Sequence, residues 1–188
     1  MKLPELTKLV ADTLKEFDSQ RPIYKNYRPG IGPFAEVELL KRISYMLEQK
    51  GHVAIAGKRT PDLEVDNEWA LEFKIARPFG DNGREAENWS VNLLHPYRGN
   101  ISAIGDIYKL MDHAGEFKKE AIFVVGYEHQ PPRISLDPLL EAFEAITQHL
   151  KLPIGPRIEE RRDGLIHPVH QVVRCVSWEV LPQKNYAV

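Results

Sequence analysis

Asp62, Glu72 and Lys74 are the residues of this chain whose types and spacing point to chemistry. They lie in Pro61-Asp62-Leu63-Glu64-Val65-Asp66-Asn67-Glu68-Trp69-Ala70-Leu71-Glu72-Phe73-Lys74, where a Pro-Asp pair is followed, ten residues after the aspartate, by Glu-Phe-Lys. Two carboxylates held close repel each other unless a cation lies between them, and clustered hard oxygen ligands suit Mg²⁺, with Mn²⁺ as a substitute. A protonated lysine is no ligand. Beside a metal-bound water it orients that water, stabilises charge developing on a phosphate, or takes a proton if its pKa is lowered. The competing reading is a strand start at Asp62 and a solvated strand face at Glu72 and Lys74, since alternating charge on an exposed strand is ordinary.

Whether the carboxylates meet depends on strand register. With period two, Leu63 and Val65 point one way, as do Leu71, Phe73 and Ile75, so the stretch reads as a hairpin bent at Asp66-Asn67. A two-residue loop would pair Val65 with Glu68 and leave Asp62 opposite Leu71, mixing apolar and polar partners. A three-residue loop, Asp66-Asn67-Glu68, pairs Val65 with Trp69 and Leu63 with Leu71, and brings Asp62 opposite Glu72 on the other face. The second register is the expectation.

At these residues the chain resembles the PD-(D/E)xK nuclease superfamily, whose members share the restriction-endonuclease-like fold, through Pro61-Asp62 and Glu72-Phe73-Lys74. The resemblance implies a metal-dependent phosphodiesterase acting on DNA. It also implies an acid on the helix before the motif strands, and the residues supply one. In the helix expected over residues 34–49, Val37, Leu39, Leu40, Ile43, Met46 and Leu47 form the apolar side, while Glu38, Lys41, Arg42 and Tyr45 form the other. Glu36 falls in the middle of the apolar side. Its place in the first turn suits the helix dipole, but burying it unpaired is costly, so it should meet a metal, a cation or a donor.

The other elements that must position these groups follow in order. Residues 4–17 carry Leu6, Leu9, Val10, Leu14 and Phe17 at helical intervals. Residues 21–30 form a proline-bounded loop of cations and tyrosines, and His52 to Ala56 a short strand, with Lys58-Arg59-Thr60 leading into the hairpin. Helix, strand, strand, strand is the first half of the restriction-endonuclease-like core. Residues 77–99 form a long loop with Trp89, Asn92, His95 and Tyr97, in which Arg77 and Arg98 are candidate phosphate contacts. Asn100 is the expected cap of a helix to about His113, with Ile101, Ile104, Ile107, Tyr108 and Met111 inward and Ser102, Asp106, Lys109 and His113 solvated or lining a substrate groove. Ala121 to Tyr127 reads as a strand buried on both sides, and Ser135, Asp137 and Pro138 open a further helix. Residues 157–164 are expected as a solvated loop, and Val169 to Leu181 as a last strand or two.

The 188 residues fit one restriction-endonuclease-like domain: an N-terminal helix and loop over 1–33, a core with the motif hairpin over 34–127, and a C-terminal helix and strands over 128–188. The expected fold class is α/β, a mixed β-sheet flanked by helices. A single cysteine, Cys175, excludes an internal disulfide framework and suits a reducing cytoplasm. No apolar run is long enough to span a membrane, and the acidic N-terminus is unlike a signal peptide, so a cytoplasmic location is expected. A net charge of −2 argues against a general charge-driven nucleic-acid coat but allows a locally basic groove. Asp62-Leu63-Glu64-Val65-Asp66 is not a calcium loop, because Asn67 and Phe73 stand where such a loop needs Gly and Glu. His167 and His170 lack the companions of a zinc site.

The sequence thus points to a metal-dependent nuclease in which Asp62, Glu72 and the Phe73 carbonyl hold Mg²⁺, Glu36 completes the shell, and Lys74 positions water. Two rivals remain beside it: a non-cleaving nucleic-acid-binding or scaffold domain of the same fold, and a hydrolase of small phosphate esters. The sequence leaves the oligomeric state open, a homodimer included.

Overall fold

The structure, a computed structural model, describes residues 1–57, 60–113 and 116–182. Lys58 and Arg59, on the approach to the hairpin, lie outside the described residues. Two amphipathic helices, α1 (Leu3–Ser19) and α2 (Glu36–Gln49), precede three antiparallel strands, β1 (Ala54–Ala56), β2 (Leu63–Val65) and β3 (Trp69–Ala76). A single turn, α3 (Val91–Leu94), and helix α4 (Ala103–Asp112) cross to β4 (Lys119–Glu128), which runs parallel to β3. Helix α5 (Asp137–His149) and two antiparallel strands, β5 (Ile158–Asp163) and β6 (Val172–Val180), complete a six-stranded mixed sheet in the order β1-β2-β3-β4-β6-β5.

Period-two alternation in β3 divides the core. Leu71, Phe73 and Ile75 face α1 and α2, where they join Leu6, Leu14 and Ile43. Ala70 and Ala76 face α4 and α5, beside Ile104, Ile107, Leu140 and Phe143. On that second face Glu72 and Lys74 occupy the two positions between the alanines, so the sheet carries them beneath α4. Strand β4 is buried on both sides, as its unbroken apolar run requires. Burying one such leucine or phenylalanine contributes roughly 1.5–3 kcal/mol, and the two clusters together hold β3 rigidly between its neighbours.

Three segments differ from the sequence reading. Residues 158–163 form the edge strand β5 instead of a solvated loop. Its charges are matched within the fold, since Arg162 pairs with Asp12 of α1 and with Glu160, so the segment pairs with β6 despite its polarity. The cap of α4 is Ser102, whose hydroxyl accepts from Gly105 N at 3.1 Å, while Asn100 Oδ1 accepts from Ser102 N. Ile101 therefore precedes the helix and is exposed. Val37 is also exposed, because the first turn of α2 projects past the apolar contact that Leu39, Leu40 and Ile43 make. Among the described residues, no helix is long and apolar enough to cross a membrane.

His167 and His170 act as a structural clip. Their rings stack with centroids 4.5 Å apart. His167 Nε2 lies 2.8 Å from Asp81, while His170 Nε2–H donates to the Phe79 carbonyl at 2.8 Å, tying the approach to β6 to the loop after β3. Burial pushes the His170 pKa down to about 3, so the ring is neutral. Gly32 packs directly on this ring, and a Cβ there would collide with Nδ1, Cβ and Cγ. Gly32→Ala is expected to destabilise the fold by about 1–3 kcal/mol, measured by urea unfolding. An unchanged midpoint would show that the ring can move aside.

Candidate active site

Strand β2 pairs with β3 only as far as Leu63 opposite Leu71, so the outer edge of β3 beyond that point has no strand partner. Carboxylates take its place. Phe73 N donates to Asp62 Oδ2 at 2.8 Å, and Ile75 N donates to Glu36 Oε2 at 3.2 Å. Each acid is thus held by one oxygen on an open sheet edge and retains the other. The hairpin that sets this up has the three-residue loop, with Val65 opposite Trp69 and Glu68 N bonded to Val65 O at 3.0 Å. Asp66 and Asn67 adopt φ of 56° and 51°, a region that these two residue types tolerate. Asp62 consequently lies within hydrogen-bonding reach of Glu72.

Lys74 is the positive centre of the cluster. Its Nζ donates to the Phe73 carbonyl at 2.9 Å, pairs with Asp106, and lies 4.0 Å from Glu36 Oε1. Burial alone would push the lysine pKa down, but Asp106, Glu36 and Asp62 outweigh it and hold the value above the ordinary one. Lys74 is therefore an ammonium, suited to orienting water and stabilising negative charge and unsuited to taking a proton. The solvated-face reading of Glu72 and Lys74 fails, because they are only 3% and 9% exposed.

The carboxylates are strained electrostatically. Burial, then Asp62 and Asp106, push the Glu72 pKa up to about 8. Burial also raises Glu36, with Lys74 opposing and Asp62 and Asp106 adding to the shift. Glu38, by contrast, is half-buried and pairs with Lys41 on the outer side of α2.

Asp106 is the residue that the sequence reading misplaced. Expected on a solvated side or a groove wall, it is fully buried, with one oxygen on Lys74 and the other on Lys109. One signal could have found it. From Ala103 to Leu110 the only charged residues are Asp106 and Lys109, so α4 has almost no polar face on which to place an aspartate.

The two arginines separate. Arg77 lies just beyond β3, half-buried, with Nη1 donating to the Gly32 carbonyl at 2.7 Å, and forms no ion pair with any described residue. Arg98 is exposed and pairs with Asp112, at the opposite end of α4 from Asp106. The structure brings Glu36, Asp62, Glu72 and Lys74 together and sets Arg77 beside them, but leaves Arg98 on another part of the surface.

Among the described residues, no three His, Cys, Asp or Glu side chains form a group that could hold a metal ion as they stand. The Phe73 carbonyl, an expected ligand, accepts from Lys74 instead. The donor chemistry nevertheless suits a hard cation. Glu72 Oε1 is buried with no hydrogen-bond partner among the described residues, and Glu72 holds its proton abnormally tightly because of its burial and then of the neighbouring charges of Asp62 and Asp106. Comparison with protein-family models, with curated proteins and with solved structures finds no match for this chain. The chemistry of the cluster rests on its own geometry.

Proposed function

We propose that this chain is a metal-dependent nuclease of the restriction-endonuclease-like class that hydrolyses phosphodiester bonds in DNA. The observation that carries the reading is the joint placement of Asp62, Glu72 and Glu36 around a buried, charged Lys74 at the open edge of β3. The order of elements supports it too, with a helix before a three-strand meander and a helical crossover to a parallel strand.

In this reading Asp62, Glu72 and Glu36 would hold Mg²⁺, and the Phe73 carbonyl, which accepts from Lys74, would be a further oxygen only if shared with that ammonium. Bound there, the ion would supply a Lewis acid that lowers the pKa of water and polarises a phosphoryl oxygen. The chain's own groups do the rest. Lys74 stays protonated because Asp106 pairs with it, and so places a fixed positive charge where a pentacoordinate phosphate gathers negative charge. Asp106, itself fixed by Lys109, holds that ammonium in a dry site, where an oriented charge is worth more than in water. The hydrogen bonds from Phe73 N and Ile75 N aim Asp62 and Glu36 so that neither carboxylate must be reorganised.

Mn²⁺ titration calorimetry tests the reading. Wild type should bind Mn²⁺ and cleave DNA, whereas Asp62→Ala should lose both, and cleavage of a chromogenic diester alone would point to small phosphate esters. One observation favours a second reading, a non-cleaving domain of the same fold: Lys74 already satisfies the Phe73 carbonyl and compensates the acids without a metal. Wild type that binds DNA but neither binds Mn²⁺ nor cleaves would establish that alternative.

A further inference from the structure

We propose that the cleft beyond the end of β3 is a subsite for one unstacked nucleobase of a single-stranded nucleic acid, with Arg77 engaging the adjoining phosphate. The proposal rests on the nuclease reading for what lies next to the cleft, and extends it to the form of the substrate.

The cleft encloses about 470 Å³ and is lined by Ile75, Arg77, Tyr27, Asn88, Trp89 and Asn92. It adjoins the carboxylates directly, because Ile75 both lines it and gives its amide to Glu36. A strand with a phosphate at the acid and lysine cluster therefore has its neighbouring nucleotide at the mouth of this cleft. The size lies within the ~300–1,000 Å³ range that admits a small ligand, and it admits one base.

The lining matches a nucleotide part by part. Trp89 is half-buried and Tyr27 is 43% exposed, so both offer an aromatic surface to the cleft, and a stacked base gains roughly 1–3 kcal/mol from such a surface. Asn88 and Asn92 carry both donors and acceptors, which suits the edges of a base. Arg77 is a cation without a carboxylate among the described residues, and its hydrogen bond to Gly32 uses one of five N–H donors. The acids that line the cleft do not cancel it. Asp81 is taken up by Arg28 and His167, which leaves only Glu87, exposed at the rim.

A stacked base pair offers no such handle, because both faces of each base are covered and extrusion costs a few kcal/mol. A single strand presents its bases freely. The cleft therefore selects single strands over duplexes at the binding step.

Of the three tryptophans, Trp69 and Trp178 are 2% and 0% exposed, so quenching of intrinsic fluorescence by an added strand reads Trp89. Metal-free protein titrated with an oligothymidylate of about eight nucleotides should be quenched and should bind it roughly tenfold more tightly than a hairpin duplex of matched charge. Trp89→Ala should weaken the strand by roughly tenfold, and Trp89→Phe should restore most of the loss, measured by anisotropy of a labelled strand. Tyr27→Ala, at a position exposed enough to leave the fold intact, should weaken it by a smaller factor. Equal or tighter binding of the duplex, or wild-type affinity in both alanine variants, overturns the proposal. Strand binding without cleavage leaves it standing and defeats the nuclease reading, whereas cleavage with no preference between strand and duplex does the reverse.

Discussion

Lys74→Met is expected to leave Mn²⁺ binding intact, or strengthened by loss of a nearby positive charge, while cleavage falls by a factor on the order of 10² or more. That factor corresponds to ~3 kcal/mol, the contribution of a single oriented donor in a dry site. Methionine keeps the stem and removes the ammonium, so the packing beneath α4 is largely retained. The structure adds a consequence for stability. Lys74 is buried against Asp106, and removing one partner of a buried ion pair costs about 3–5 kcal/mol, reduced here because Lys109 still holds the other Asp106 oxygen. Lys74→Met combined with Asp106→Asn should recover much of that stability without recovering cleavage. Urea unfolding beside single-turnover cleavage separates the two effects. Undiminished cleavage by Lys74→Met, in a preparation where Asp62→Ala is inactive, would sink the role given to the lysine.

The second large effect concerns pH. The Glu72 carboxyl holds its proton to about pH 8 in the fold, because of burial and the charges of Asp62 and Asp106, whereas an ordinary glutamate releases it near 4.5. Between these values the folded state binds more protons than the unfolded chain, so stability falls as pH rises. The contribution of this group is fully present below about 4.5 and is lost as pH passes through about 8. Metal-free protein should accordingly melt at a lower temperature at pH 8 than at pH 5.5, apart from the contributions of other groups. Glu72→Gln, which cannot ionise, should flatten that dependence and melt above wild type at the higher pH. Since a ligand carboxylate must be deprotonated, Mn²⁺ binding near neutral pH should release about one proton, measured by calorimetry in two buffers of different ionisation enthalpy. Identical melting profiles for wild type and Glu72→Gln would show that Glu72 is ionised at neutral pH without a metal.

Much of the site was legible in the sequence because it is local. Asp62 and Glu72 are joined by a hairpin whose register follows from alternation of apolar residues and a loop of residues that tolerate positive φ. Glu36 was legible for a related reason: an acid on the apolar side of a short helix needs a partner, and the structure places an amide and a lysine beside it. The α/β class and the helices on both faces followed from periodicity, which is also a local property.

What only the tertiary structure decided involves groups far apart in the chain. Asp106 reaches Lys74 because β4 lies parallel to β3 and the crossover lays α4 over the face that carries Glu72 and Lys74, a placement no spacing encodes. The same crossover converts an apparently solvated strand face into a buried one, and so sets the charge of Lys74 and the proton affinity of Glu72. Arg77 and Arg98 look alike as sequence, yet the end of β3 fixes one beside the carboxylates while the surface loop leaves the other paired with Asp112. Residues 158–163 read as a solvated loop because they are a mixed-charge run with a single apolar residue, and they form a strand because β6 supplies the ladder and Asp12 of α1, some 150 residues away, joins Glu160 on Arg162. Periodicity reports which side of an element is apolar, but only packing determines what a charged side chain meets on the other side.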